Sequence, residues 1–152
     1  MFAALVVLGR AVAWVNFYPA LIWKAALGWK GNIRANPFLY ADGAGDAVLL
    51  VEDGATGAYN RSNRSLHHLV ENMAVVVAAL GPCARIAPRP TFLLVCAWSL
   101  GRVLHQLGYA VRYGKHAAGF VLSTVAALGI EGICAIVALQ GFGVAVLPGQ
   151  HN

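Results

Sequence analysis

Residues Arg64–Leu80 read RSLHHLVENMAVVVAAL, and residues Gly101–Val111 read GRVLHQLGYAV. Each stretch sets charged and imidazole side chains at helical spacing inside an apolar run. Arg64, His68 and Glu71 stand at i, i+4 and i+7 and share one helix face, with His67 beside them. Arg102, His105 and Tyr109 stand at i, i+3 and i+7 and share another. A charge at a bilayer centre costs roughly 2.5–3.5 kcal/mol on insertion scales, so helices carrying several turn them inward, towards a ligand or each other.

Composition supports the membrane reading. The chain has 152 residues, of which 59% are hydrophobic and 11% charged, too apolar for an ordinary soluble domain of this size. Helices are expected over about 2–27, 61–81, 90–112 and 117–146, with a polar loop over 28–60, all in one domain. A spanning helix needs about 20 residues, which the second reaches if it begins near Arg61. The fourth is long enough to tilt or project. Gly81-Pro82 reads as the end of the second helix, and Pro88 and Pro90 as the approach to the third. Short links after the second and third helices favour antiparallel neighbours. The expected fold is therefore an all-α membrane protein, a four-transmembrane-helix up-down bundle. Within the polar loop, Asp42–Asp46 and Asp53–Gly57 read as turns, and Ala47–Val51 as a short strand or membrane-surface segment.

The net charge of +5 is spread out, without a patch or aromatic interleaving, which argues against nucleic acid. Its placement speaks to topology instead. Lys30, Arg34, Arg61, Arg64, Arg112 and Lys115 fall on one side and Arg85 and Arg89 on the other. The positive-inside rule puts loops 28–60 and 112–116 on the cytosolic-equivalent side of an endomembrane, an organellar membrane or a bacterial inner membrane. On that side the sequons at Asn60 and Asn63 have no glycosylation role. The first helix reads as retained rather than as a signal peptide, since no basic region precedes it. Pro19 inside it is expected to kink it. Cys83, Cys96 and Cys134 are odd in number and widely spaced, with no metal or redox motif; Cys96 and Cys134 read as packing residues. The four tryptophans read as packing and interface-belt residues. Adjacent His67 and His68 do not make a two-ligand spacing on one helix face, so no metal site is expected. Arg10 and Glu131 lie within about 5 Å of the same depth, which suggests a structural ion pair between the first and fourth helices, with a ligand or subunit contact as the alternative.

Depth counting also relates the two stripes. At about 1.5 Å per residue, Glu71 and Arg102 both lie about 15 Å from the basic side, and His68 and His105 both near 10 Å. A Glu71–Arg102 pair is geometrically natural. Two histidines, Tyr109 and Arg64 at the mouth exceed what neutrality requires. A polar cavity open to the basic side fits better. Two arginines and a carboxylate suit a zwitterionic, carboxylate-bearing ligand, because arginine grips carboxylates bidentately and Glu71 can take an ammonium.

At this point the residues resemble a family. RSNRSLHHLVENM on the second helix, GRVLHQLGY on the third and Arg34-Ala35-Asn36-Pro37 after the first look like the MAPEG superfamily. Its members are membrane proteins of eicosanoid and glutathione metabolism, including microsomal glutathione transferases and microsomal prostaglandin E synthase. The similarity is spread over all four helices. The resemblance implies a homotrimer of four-helix subunits that binds glutathione as co-substrate between neighbours, near the cytosolic side. Arg64, His68, Glu71, Arg102, His105 and Tyr109 occupy the matching glutathione-binding positions. The implied activity is transfer of glutathione to lipophilic electrophiles, or reduction of lipid hydroperoxides, with the second substrate arriving from the bilayer. Relatives stabilise the thiolate with an arginine near the start of the fourth helix. This chain has Ala118 and Gly119 at the closest positions, and Lys115 or His116 is the expected substitute. It also has His68 where the family usually has asparagine, and Ala74 where a proline is common. These departures keep an alternative open: a non-catalytic accessory or scaffold subunit of a larger membrane complex, or a lipid-presenting protein.

Overall fold

The computed structural model describes residues 1–27, 38–43 and 48–144, with the side chains of 23–27, 42 and 48 excepted. Four helices and one hairpin follow in the order α1 (Phe2–Leu27), β1 (Tyr40–Asp42), β2 (Val48–Leu50), α2 (Gly54–Ile86), α3 (Pro88–Val111) and α4 (Ala117–Gly141). Three spans are long and apolar enough to cross a membrane: Phe2–Ile22 within α1, then α2 and α4. The strand expected within Ala47–Val51 is β2, which pairs antiparallel with β1, Tyr40 opposite Leu50. Lys30, Trp29, the Arg34–Pro37 segment and Asp46 lie outside the described residues, as does the side chain of Trp23.

The second helix is longer at both ends than the apolar pattern implies. It begins at Gly54 rather than Arg61 and runs through Pro82 to Ile86. Its early turns are polar because they belong to the loop side, where buried Asn60 ties down the hairpin. The Asn60 Nδ2 donates to the carbonyls of Leu39 and Val51, each at 2.8 Å, and Oδ1 accepts from the Leu39 N–H. Asn60 and Asn63 are both buried, so neither sequon offers a free amide. At the other end Pro82 removes one backbone bond close to a terminus, a loss the helix tolerates. The stop comes at Ala87, which precedes Pro88 and is barred from helical geometry; its φ and ψ are −128° and 66°. Pro88 then opens α3 at a position that needs no N–H. The break expected at Gly81-Pro82 thus sits at Ala87-Pro88, and α2 and α3 form a hairpin joined by one residue.

α4 ends at Gly141, short of the expected 146. Gly143 takes a left-handed φ of +78°. Its N–H donates to the Gln140 carbonyl and that of Val144 to Leu139, both at 3.0 Å. This Schellman closure satisfies carbonyls that a membrane helix end otherwise leaves bare.

α3 is the hub, packed against α4, α2 and α1, while α4 also touches α2. Val15, Leu69, Val76, Leu80, Val95, Trp98 and Ile130 form the buried core. Leu93, Leu100, Val121, Val125 and Leu128 face outward, as expected of surfaces bathed in lipid. The α3·α4 contact is close because two glycines permit it. A Cβ on Gly119 would lie 2.2 Å from the His105 nitrogen, and one on Gly101 would lie 2.6 Å from the Ser123 nitrogen.

Pro19 leaves the Val15 carbonyl without its helical donor. Gln106 of α3, fully buried, supplies one: its Nε2 donates to the Val15 carbonyl at 2.7 Å and to the Ser62 carbonyl at 3.3 Å. One amide therefore repairs a proline defect and joins three helices. Gln106→Leu is expected to lower stability in micelles by about 1–2 kcal/mol, read from reversible unfolding. Adding Pro19→Ala, which restores the helical donor, should recover part of that loss. No recovery would detach Gln106 from the proline.

Candidate functional site

His105 lies at the centre of the polar site. It is 2% exposed and shares a hydrogen bond of 2.8 Å between its Nδ1 and the Ser65 hydroxyl of α2. The His68 ring stacks on it at 5.9 Å and the Tyr109 ring at 5.5 Å. His116, at the head of α4, meets His105 edge-on at 5.2 Å and Tyr109 at 4.8 Å. Tyr113 and Phe120 complete the wall. His116 reaches this position because Gly108 has no side chain. A Cβ there would fall 2.3 Å from the Lys115 carbonyl, so the link can fold down onto α3. The Nδ1 of His116 is buried and has no partner among the described residues.

One turn deeper lies Arg102, 3% exposed, with its guanidinium 5.9 Å from the Trp98 ring. That distance permits a cation–π contact. Its Nε and Nη2 have no hydrogen-bond partner among the described residues. Buried donors are nearly always paired, so two bare guanidinium nitrogens are an unmet demand. Arg102 is also one wall of a cavity of about 190 Å³, with Glu71, Trp98, Phe120, Ser123 and Glu131 among the other lining residues. The matrix of hydrophobic wall, one buried cation and two carboxylates suits an elongated ligand with both charge signs.

Depth counting misassigned the carboxylate partners. Glu71 pairs with Arg64 on its own helix, Nη1 to Oε1 at 3.9 Å, and both side chains are half-exposed. Such a pair contributes at most about 1 kcal/mol. Arg102 and Glu71 share a cavity without forming an ion pair. Arg10 and Glu131 do not pair within the protomer either: both are exposed. α1 packs on α2 and α3 while α4 packs on α3 and α2, so equal depth does not bring the two side chains together. His67 turns away from the site, meeting Phe38 edge-on at 5.0 Å and lining a groove with Val12 and Asn16.

The model of the MAPEG family matches residues 2–137, which takes in α1, α2 and α3 entirely and most of α4. The chain belongs to the MAPEG family. No curated protein and no solved structure matches it. As a MAPEG protein it is an integral membrane protein of all-α fold, from a family whose general role is membrane-bound glutathione and eicosanoid-type chemistry.

In this MAPEG protein the described part of α4 carries no arginine or lysine. Gly119, one of the positions closest to the usual arginine, is pressed against the backbone of His105 and has no room for a side chain. Of the two substitutes considered, Lys115 is exposed and lends only its carbonyl to the Gly108 contact, whereas His116 turns into the ring cluster. Ser65, Tyr113, Phe120 and Arg61 escaped the sequence reading. Tyr113 had a signal, since 105, 109 and 113 step by four, but the helix stops at Val111. Arg61 looked only like a topological cation. It donates to the Tyr109 and Ala110 carbonyls at 3.0 Å each and to the Glu52 carbonyl, which caps the carboxyl end of α3 and completes the loop side of the site.

Proposed function

We propose that this MAPEG protein binds glutathione along Arg64, His68, Glu71, Arg102, His105 and Tyr109 and conjugates it through its sulfur to lipophilic electrophiles, or uses it to reduce lipid hydroperoxides. The observation that carries this reading is Arg102, a cavity-lining residue whose buried guanidinium has two nitrogens without partners among the described residues. A carboxylate of the tripeptide would take up those donors bidentately. Glu71, on the half-exposed side, suits the ammonium. The active assembly is a homotrimer, in which a neighbour covers the exposed polar groups of α1, α2 and α4. The loop end of the bundle faces the cytosolic-equivalent side, following its basic residues. The co-substrate arrives laterally from the bilayer.

His116 is the thiol-activating residue in this scheme. An imidazole beside the thiol accepts its proton while the thiolate sulfur bonds to the electrophilic carbon; in a displacement the leaving group departs with the broken bond's electron pair, and in an addition the resulting carbanion takes up a proton. Equilibrium dialysis of the purified protein with glutathione, beside Arg64→Ala and Glu71→Gln, tests the binding. Retention by the wild type and weaker retention by both variants is the expected result, and absence of retention by the wild type refutes it. His116→Gln should keep glutathione affinity within a few-fold while slowing conjugation by about 10²–10⁴-fold. Thiolate absorbance of the bound tripeptide should fall with it.

The absence of an arginine from the described part of α4 favours a second reading, a non-catalytic member that serves as accessory or scaffold subunit or presents lipid. Gentle solubilisation and native mass measurement separate the two. A homotrimer with conjugating activity supports the first; stoichiometric co-purification with a larger complex, without glutathione retention, supports the second.

A further inference from the structure

We propose that Cys83 and Cys134 are a redox-active pair that a hydroperoxide oxidises to an intramolecular disulfide joining α2 to α4. The two sulfurs lie 3.1 Å apart although the residues are 51 positions apart in sequence. Closure to a bond of about 2.05 Å needs an approach of roughly 1 Å. Cys83 is 0% exposed, and its thiol also donates to the Ile130 carbonyl at 3.5 Å. Cys134 is partly exposed. The third cysteine, Cys96 on α3, has no sulfur neighbour among the described residues. Cys83 stands three residues before the end of α2 at Ile86, so it lies about 5 Å from that end. This end carries an open cavity lined by Met1, Arg85 and Ile86, while the histidine cluster is grouped about the opposite end of the bundle, at the α3–α4 link. Cys134 stands one helical turn beyond Glu131, a wall residue of the Arg102 cavity, and neither cysteine lines that cavity or joins the histidine cluster, so the pair does not rest on the glutathione assignment.

The difference in exposure sets the order of events. The accessible Cys134 sulfur attacks the distal oxygen of the hydroperoxide and the O–O bond breaks. The leaving alkoxide takes the thiol proton and departs as an alcohol, and Cys134 becomes a sulfenic acid. The Cys83 sulfur then attacks the Cys134 sulfur, the S–O bond breaks, and hydroxide leaves with the Cys83 proton as water. Two thiols are oxidised by two electrons, and one hydroperoxide is reduced to alcohol and water. Cys83 needs no access to solvent, because its target is already in contact.

The test treats purified protein in nanodiscs with hydrogen peroxide or, separately, with cumene hydroperoxide, at doses that convert Met1 to its sulfoxide. Remaining thiols are then alkylated under denaturing conditions and mapped by mass spectrometry. Apart from the oxygen on Met1 and the label on Cys96, the expected product has lost the mass of two hydrogens and yields one cross-linked peptide carrying Cys83 and Cys134. Cys96 stays fully alkylated, and dithiothreitol restores all three thiols. Cys134→Ser should yield no cross-link and leave Cys83 fully alkylated; if that variant misfolds, the wild-type peptide map decides alone. Reaction with hydrogen peroxide only, or with cumene hydroperoxide only, upholds the pair and assigns the oxidant's route to water or to lipid. Full alkylation of Cys83 and Cys134 in both arms overturns the proposal, as does a link to Cys96 or between chains.

Discussion

Gly119→Ala is expected to cost this protein about 3 kcal/mol or more and to disperse the histidine cluster, although it adds a single methyl group. The added Cβ would fall 2.2 Å from the His105 nitrogen, 2.7 Å from its Cα and 2.7 Å from the Gly101 carbonyl oxygen. All three are backbone atoms, so no side chain can rotate out of the way. The α3 and α4 axes must separate along their close contact at Gly101 and Gly119. That separation draws Phe120 and His116 away from His105 and opens the cavity beside Arg102. Unfolding in micelles and glutathione retention should therefore fail together. Gly132→Ala, on the same helix, is the control. A Cβ there meets nothing within 4 Å, and alanine should be neutral or add up to about 1 kcal/mol through helix propensity. Equal behaviour of the two variants would show that α4 does not lie against α3 as described.

The contrast between these glycines also marks what the sequence carries. Apolar length located the four helices, because burial in lipid demands uninterrupted hydrophobic runs. It missed the start of α2 because Gly54–Asn60 is polar and serves the hairpin through Asn60. Gly81-Pro82 looked like a stop because proline breaks helices. Ala87 is the true stop because the constraint acts on the residue before a proline as well as on the proline. Helical spacing and depth correctly grouped His68, His105 and Tyr109, since side chains on one face at one level tend to meet. Depth is one coordinate only. It could not supply the rotation about each helix axis that sends Glu71 to Arg64 and leaves Arg10 and Glu131 apart. The same missing coordinate hid the Cys83–Cys134 contact, which spans α2 and α4. His116 was legible as a nearby polar residue, but its inward turn depends on a glycine one helix away.

Arg102→Leu should act in opposite directions on stability and on binding. In the protomer the Arg102 guanidinium is 3% exposed, has two nitrogens without partners among the described residues, lies 5.9 Å from the Trp98 ring and shares a cavity with Glu71 without an ion pair. Desolvation of that cation is a cost of folding that Glu71, without an ion pair, offsets only in part, and leucine, similar in volume though shorter, removes it. The ligand-free variant is therefore expected to be more stable by about 1–3 kcal/mol, read as a higher unfolding midpoint in micelles. Glutathione affinity should fall roughly 30-fold to several-thousand-fold, the loss that follows removal of a buried charged partner, about 2–5 kcal/mol. Arg102→Lys separates charge from shape. Lysine keeps the positive charge but lacks the planar fork, so it should retain the instability of the wild type and recover only part of the affinity. A purely structural arginine predicts the reverse pattern: Arg102→Leu would destabilise the protein, and any loss of binding would simply follow the loss of fold. A buried donor kept at a cost to stability is one reserved for a partner that arrives later, and the sign of the Arg102→Leu effect on the ligand-free protein reads that directly.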